Sequence, residues 1–356
     1  MTAPGPPARP SNVHARELRE SEFEAWCTLL GRSPQGGVYG RPEYLAALCE
    51  ATRASYRIVG VFLNDQLVGG VPLYERRQRA GAVVANRTLL YYNGIVLDLP
   101  AKKFHSDQAA QMQSVLAALE RALADAGYAH VTLHNHASLT DLRSFLAKGW
   151  EASLSYTYVV PLTDMTAQWE RVDQNLKRLI RRCERDGVSY REDSDFEALF
   201  RLHWQTHKRK GAPVYLPEAA FRRFFERVHG CGFARLGHAV YQDKVVASQL
   251  MLAGPHPVSH TICAGADEDY LRLGASAFLR WHAFQSLHRD GFVANDLTDA
   301  SLNPVTRFKS QLGGDLTPTW SISRTGSWLF RVMGTARDIR TGLQQRLRRS
   351  QEQEAA

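Results

Sequence analysis

Asp296 and Asp299 close an apolar strand, where a carboxylate can accept the proton of an ammonium group or orient an amine. Asp299, followed by Ala300-Ser301, reads rather as the cap of a turn. His260 lies on a neighbouring strand and has the near-neutral pKa of a general base, although a histidine there can also be an ordinary half-buried one. Tyr270-Leu271-Arg272-Leu273-Gly274-Ala275-Ser276 opens a long helix. A glycine at a helix N-terminus lets a phosphate approach the backbone N–H groups, and Arg272 adds charge, so Arg272, Gly274 and Ala275 form a candidate phosphate seat. Ser248 and Gln249 occupy the hairpin strand that should line the same channel. His203 and His207, four apart on a helix, and His134 and His136, on one strand face, have metal-binding geometry but lack a third ligand, so no metal site is expected. No Gly-x-Ser-x-Gly elbow supports a hydrolase.

These residues are positioned by a chain that repeats itself. Phe62-Leu63-Asn64-Asp65-Gln66-Leu67-Val68 overlays Tyr241-Gln242-Asp243-Lys244-Val245-Val246, each an apolar strand, a two-residue polar turn and a second strand. Tyr128 to Leu133 matches Gly291 to Leu297, and Leu142-Arg143 with Gly149 matches Thr306-Arg307 with Gly313. A single duplication accounts for all of these matches in order, and a duplicated α/β unit makes a cleft between its copies. The periodicity predicts helices at 21–30, 42–51, 104–126 and 138–148 in the first unit, with strands at 56–63, 66–74, 87–97, 129–134 and 153–161. One bridging helix is expected over 165–186. The second unit then has helices at 194–208, 217–228, 273–289 and 304–312, strands within 233–261, and strands at 294–297 and 318–323.

A chain of 356 residues with 44% hydrophobic content has material for two cores. No apolar run reaches the ~18 residues of a membrane span. The Pro-rich start reads as a disordered leader over 1–12. Five scattered cysteines form neither a zinc pattern nor a disulfide framework, which points to a reducing cytoplasm. The net charge of +8 concentrates in two segments, Arg171 to Arg191 and Arg324 to Arg349. Each is either a solvated helix face or a docking strip for a polyanion. The second, with its stripe Val332, Ala336, Ile339, Leu343 and Leu347, has the form of an interfacial helix or of one packed on the body.

The order helix-helix-strands-long helix-strand-short helix-strand, occurring twice, resembles the GNAT acyltransferase fold in tandem. The connector Asn175-Leu176-Lys177-Arg178-Leu179-Ile180-Arg181-Arg182, the stretch His203-Trp204-Gln205-Thr206-His207-Lys208-Arg209-Lys210-Gly211-Ala212-Pro213 and the motif Arg307-Phe308-Lys309-Ser310-Gln311-Leu312-Gly313-Gly314 are similar to the FemAB family. That family appends amino acids to peptidoglycan precursors and has relatives in cell-envelope and exopolysaccharide gene clusters. The likeness spans about residues 15 to 325 and implies an α/β fold of two GNAT-like domains, 13–162 on the acceptor side and 163–325 on the donor side, with a basic tail helix over 326–356. It implies that Lys309 stabilises developing negative charge at the acceptor end of the cleft, although a lysine there can also sit outside a short helix. Lys177, Arg178, Arg307 and Asp299 would hold the acceptor, and Arg143 echoes Arg307, which suggests a structural part for it. No bound cofactor is implied; the acyl donor is acyl-CoA or aminoacyl-tRNA. The phosphate loop departs from the usual Gln/Arg-x-x-Gly-x-Gly/Ala, with Leu271 in the first position and Ser276 in the last. The expected activity is cytoplasmic transfer of an acyl or aminoacyl group onto an amine of an envelope glycan or peptide precursor, with tRNA and the membrane surface as further partners. An acetyl-CoA N-acetyltransferase acting on a small amine and a non-catalytic polyanion-binding adaptor are the alternatives.

Overall fold

The computed structural model describes residues 12–332 apart from Thr88 and Asn303. The expected leader and the body of the tail helix lie outside the described residues. The first half contains β1 (Val13–Glu17), α1 (Phe23–Arg32), α2 (Pro42–Thr52), β2 (Ser55–Leu63), β3 (Gln66–Gln78), β4 (Gly81–Val84), β5 (Val96–Leu97), α3 (His105–Asp125), β6 (His130–Asn135), α4 (Arg143–Leu146) and β7 (Glu151–Pro161). The second half contains α5 (Met165–Arg171), α6 (Gln174–Arg185), β8 (Ser189–Asp193), α7 (Phe196–Arg209), α8 (Glu218–Gly230), β9 (Ala234–Tyr241), β10 (Lys244–Leu252), β11 (Val258–Ala266), α9 (Ala275–Arg289), β12 (Ala294–Asp296), α10 (Pro304–Gln311) and β13 (Asp315–Thr325).

The duplicated hairpins fold alike for a local reason. Asn64-Asp65 and Gln242-Asp243 all have positive φ, between 48° and 64°, as a two-residue turn matched to strand twist requires. At long range the repeat produces one mixed sheet in the order β1-β2-β3-β4-β6-β13-β7-β12-β11-β10-β9-β8, with β5 beside β3. The halves exchange their last strands: β7 pairs with β12, and β13 pairs with β6. The registers obey the duplication. His130 pairs with Thr325 and Ala294 with Pro161, and the two pairs are related by a shift of 164 residues. Ser155 and Thr319, also 164 apart, lie directly opposite each other in the β7–β13 ladder, which places a pseudo-two-fold axis at that pair.

Helices cover both faces. Val115, Leu116, Leu119 and Leu123 of α3 pack on the first half of the sheet. Trp281, Phe284 and Leu287 of α9 pack on the second half, together with Leu176 and Ile180 of α6. On the opposite face α2, α7 and α8 form a core that spans both halves, with Tyr44, Leu48, Leu199, Phe221 and Phe224 buried in it. Helix α7 sits so close to β11 that a Cβ on Gly265 would lie 2.4 Å from the backbone of Leu202. Gly265→Ala is therefore expected to cost about 1–3 kcal/mol of stability by overpacking, read as a lowered denaturant midpoint at unchanged slope.

Three expected elements differ. The bridging helix breaks at Val172-Asp173, where the Asp173 side chain accepts a hydrogen bond from the Asn175 N–H and starts a new helix. The expected strand over 87–97 is a loop that pairs as a strand only at β5. Its polar groups serve β6 instead: Asn93 Nδ2 donates to the Thr132 carbonyl at 2.9 Å, and Asn93 Oδ1 accepts from the His134 N–H at 2.9 Å. The expected helix at 138–148 shortens to one turn, α4.

Candidate active site

The chemistry is organised by a divergence of strands. β11 and β12 run parallel and pair only from Val258 to His260 with Ala294 to Asp296, then separate. Beyond His260 the edge of β11 away from β10 has no strand partner among the described residues. The opening is a cleft of about 650 Å³ between β11, the 297–299 loop, α9 and α10, roofed by α7 and the loop that follows it. In the first half the corresponding gap beside β6 is filled by the 86–95 loop through Asn86, Asn93 and the Ile95 N–H, which Asn135 Oδ1 accepts at 2.8 Å. That loop also sends Tyr91 into the wall of the second half's cleft.

Lys309 reaches the cleft from α10. Its Nζ donates to the carbonyl of Thr298 and, at 2.6 Å, to that of Asp299. Those carbonyls are aimed by two consecutive residues in the left-handed region, Thr298 at φ 50° and Asp299 at φ 43°. A β-branched residue there is strained, and such strain gathers at functional sites. Burial, with the nearby Arg280 guanidinium as second cause, pushes the Lys309 pKa down to about 8. Arg280 lies in the middle of α9 and donates from Nη1 to Gln249 Oε1 at 2.7 Å. Burial lowers its pKa to about 10, so it remains a cation at neutral pH.

The other expected residues divide between this cleft and the surrounding framework. Gln249 belongs to the cleft through Arg280. Ser248, its neighbour on β10, points to the opposite face of the sheet, is fully buried and has no hydrogen-bond partner among the described residues, so it does not line a donor channel. The Asp299 carboxylate caps the turn, accepting from the Ser301 N–H at 3.0 Å. Asp296 is fully buried; Tyr92 donates to its Oδ2 at 2.7 Å, and Thr157 and the Thr298 N–H donate to its Oδ1. His260 stands apart from Lys309, in a small enclosed pocket with Tyr39, Tyr92, His134, His136 and His256. Its Nδ1 is 3.7 Å from Asp296, and burial lowers its pKa to about 4, which leaves it a neutral framework imidazole at working pH. Neither Asp296 nor His260 is open to a substrate as the expected acid or base.

Gly274 is left-handed at φ 91°, and a Cβ there would lie 2.9 Å from the Leu179 side chain of α6. The close passage of α6 thus explains this glycine without a phosphate. Arg182 of α6 donates to the carbonyls of Arg272 and, at 2.7 Å, Leu273. Arg272 has an exposed side chain, and buried Ala275 can offer a donor only its backbone. Lys177 is buried; its Nζ donates to the Glu170 carbonyl at 3.2 Å and lies 3.5 Å from the Glu170 carboxylate, a structural role. Arg178 is exposed and bonds locally to Asn175. Arg307, two residues before Lys309 and so on the other side of α10, is exposed away from the cleft. None of these three meets Lys309.

Among the described residues no group of three or more His, Cys, Asp or Glu is placed to hold a metal ion. His203 instead faces Cys263 Sγ at 3.1 Å, and His207 Nδ1 lies 2.7 Å from the Pro213 carbonyl. Arg280 was missed because α9 reads as a core helix. The available signal was a single arginine inside the apolar run Ala277-Phe278-Leu279-Arg280-Trp281.

Residues 170–310 match the family described as Acetyltransferase (GNAT) domain. This segment, less than half of the chain, is similar to a GNAT acetyltransferase domain. The divergent strands, α9 and Lys309 all fall within this GNAT segment. No curated protein matches the chain in sequence. In structure the whole chain is similar to FemX, with a TM-score of 0.65 at 11% identity, covering 86% of this chain and 96% of that one. It is also similar to the C-terminal domain (DUF2156) of a putative lysylphosphatidylglycerol synthetase from Agrobacterium fabrum, with a TM-score of 0.56 at 11% identity and coverage of 85% and 92%. A tandem GNAT protein from the clavulanic acid biosynthesis pathway aligns with a TM-score of 0.53 at 13% identity, covering 89% and 99%. At these identities the likeness concerns the fold, a tandem arrangement of GNAT-like units.

Proposed function

We propose that this protein is an N-acyltransferase that moves an acyl group onto an amine of a cell-envelope or exopolysaccharide precursor. In this reading residues 163–325 hold the donor and 13–162 contribute to the acceptor side. The observation that carries it is Lys309, a half-buried ammonium fixed by two strained carbonyls at the closed end of the β11–β12 cleft. The attacking amine adds to the acyl carbon, the carbonyl oxygen becomes an oxyanion, and collapse of that adduct breaks the bond to the donor's sulfur or ester oxygen, which leaves with the proton the amine gives up. The unpaired β11 edge supplies backbone N–H donors, and Lys309 supplies positive charge where that oxyanion forms. Lys309 and Arg280 together lower the pKa of an amine entering the cleft, which favours its nucleophilic, neutral form. No side chain in the cleft need act as a strong base.

The envelope assignment draws on FemX and the lysylphosphatidylglycerol synthetase domain as structural neighbours. No described helix is long and apolar enough to cross a membrane. All five cysteines are free, which favours the cytoplasm as the site of action. Titration of the full chain with coenzyme A and acetyl-CoA, repeated with Ser276→Glu, tests the donor. Gly274→Glu is a poorer probe because its Cβ meets Leu179. Micromolar binding weakened at least about tenfold by a carboxylate at the α9 N-terminus is expected. Absence of binding would move the donor to aminoacyl-tRNA, and absence of both with polyanion binding retained would favour the adaptor.

A further inference from the structure

Arg280 and Lys309 are two cations facing one cleft, and among the described residues neither has a carboxylate within ion-pair distance. Arg280 is bonded to Gln249 through a single N–H of the five that a guanidinium carries. Lys309 directs its known hydrogen bonds to two neutral carbonyls. The nearest acids are engaged elsewhere: Asp299 caps its own turn, and Asp296 accepts from Tyr92, Thr157 and the Thr298 N–H. Lys210, on the roof of the cleft, adds a third positive charge. A half-buried guanidinium without a counter-charge is costly to maintain, and its fork is shaped to accept two parallel carboxylate or phosphate oxygens.

The location decides between parts of a donor. The α9 N-terminus, where phosphates would sit, is at Gly274, and Arg280 lies six residues further along, about 9 Å down the helix axis. That places it at the closed end, where β11 and β12 begin to separate and where the acyl group, the innermost part of a donor, would come to rest. The charge also discriminates against a rival. An aminoacyl group brings an α-ammonium into this position, and two fixed cations with no free carboxylate repel it.

We propose that the cleft selects an acyl group that itself ends in a carboxylate, the monoacyl form of a dicarboxylic acid, with Arg280 as the selecting residue and Lys309 as its partner. This rests on the reading of the β11–β12 cleft as the acyl site. It concerns which acyl group enters, not whether coenzyme A carries it.

The test compares matched charged and uncharged probes on the full-length protein by calorimetric titration. Succinyl-CoA is set against butyryl-CoA, and succinamate, whose amide stands for the thioester carbonyl, against butyramide. The charged member of each pair is expected to bind about tenfold to a hundredfold more tightly. Arg280→Gln should abolish that preference while leaving the affinity for coenzyme A itself unchanged, and Arg280→Lys should retain part of it. Lys309→Met should reduce the preference, which checks the site through a second residue if Arg280→Gln folds poorly. Equal affinities within both pairs would overturn the proposal, as would a preference that survives Arg280→Gln in folded protein. Inorganic pyrophosphate binding more tightly than succinamate, through Arg280, would also overturn it and make the site a phosphate subsite. If no coenzyme A ester binds but succinamate still outcompetes butyramide through Arg280, the coenzyme A donor fails and the acyl-carboxylate site stands.

Discussion

Lys309→Met is expected to lower kcat by about 10²–10³-fold, the size of effect seen when one donor to a developing oxyanion is removed. The fold should survive, since Lys309 is on a short helix and, among the described residues, its ammonium is tied only to backbone carbonyls. The pH profile separates the roles this lysine can have. Its pKa is lowered to about 8, first by burial and then by Arg280. If the ammonium is the working form, activity is full below that value and falls as pH rises through it. A lysine acting as general base gives the reverse, with activity rising through about 8. Lys309→Arg keeps the cation at all accessible pH, so it should remove the alkaline fall even if geometry lowers the plateau. A rate insensitive to Lys309→Met, or an alkaline limb that persists in Lys309→Arg, would remove Lys309 from the chemistry.

The parts of this structure legible in sequence are those encoded locally. The Asn64-Asp65 and Gln242-Asp243 turns carry their own left-handed preference, and α3 and α9 carry long apolar periodicity ended by Gly127 and Gly291. Even the duplication offset of 164 returns as strand register across β6, β13, β7 and β12. The exchange of β7 and β13 between halves was not legible, because strand partners far apart in sequence leave no local mark. The 87–97 loop misled because Arg87-Thr88-Leu89-Leu90-Tyr91-Tyr92 has strand composition. Asn93 and Gly94 override it by serving β6 through side-chain and close backbone contacts.

The candidate site was legible only in part for a related reason. Lys309 came from a motif, and the structure places it on the cleft. Lys177 and Ser248 were polar residues near the right elements, but their side chains face inward to Glu170 and to the α7 side of the sheet. Side-chain direction on a helix or strand depends on phase, and a shift of one residue reverses it. Arg280 has the opposite history: its helix reads as core, and only the packed structure shows the open side that faces the cleft.

Asp296→Ala is expected to destabilise the protein by about 3 kcal/mol or more, because it leaves several buried donors without an acceptor at about 1–3 kcal/mol each. Those donors are Tyr92, which comes from the first half, Thr157 on the exchanged strand β7, and the Thr298 N–H in the loop that holds Lys309. One carboxylate therefore ties together the first half, the exchanged strand and the cleft. Asp296→Asn should cost less, since the amide oxygen can keep the bonds from Thr157 and the Thr298 N–H while the Tyr92 hydroxyl turns to accept from the NH₂. Denaturant unfolding measures the loss, and kcat measured on the folded fraction distinguishes this role from catalysis. A catalytic Asp296 would lose turnover at unchanged stability; a positioning one loses stability first, with turnover following the displacement of the Thr298 and Asp299 carbonyls from Lys309. His260 adds a pH signature. Its pKa is depressed to about 4 by burial, so the unfolded chain binds its proton first, and stability falls as pH drops from about 6.5 toward 4. The neighbouring His134, His136 and His256, also lowered by burial, steepen the same acid limb. Removing the Asp296 charge, which raises the His260 pKa against that burial, should widen the interval over which acid destabilises the seam. An Asp296→Ala protein as stable as the parent from neutral pH down through this interval would show that the halves are held together by the apolar α2–α8 contact instead.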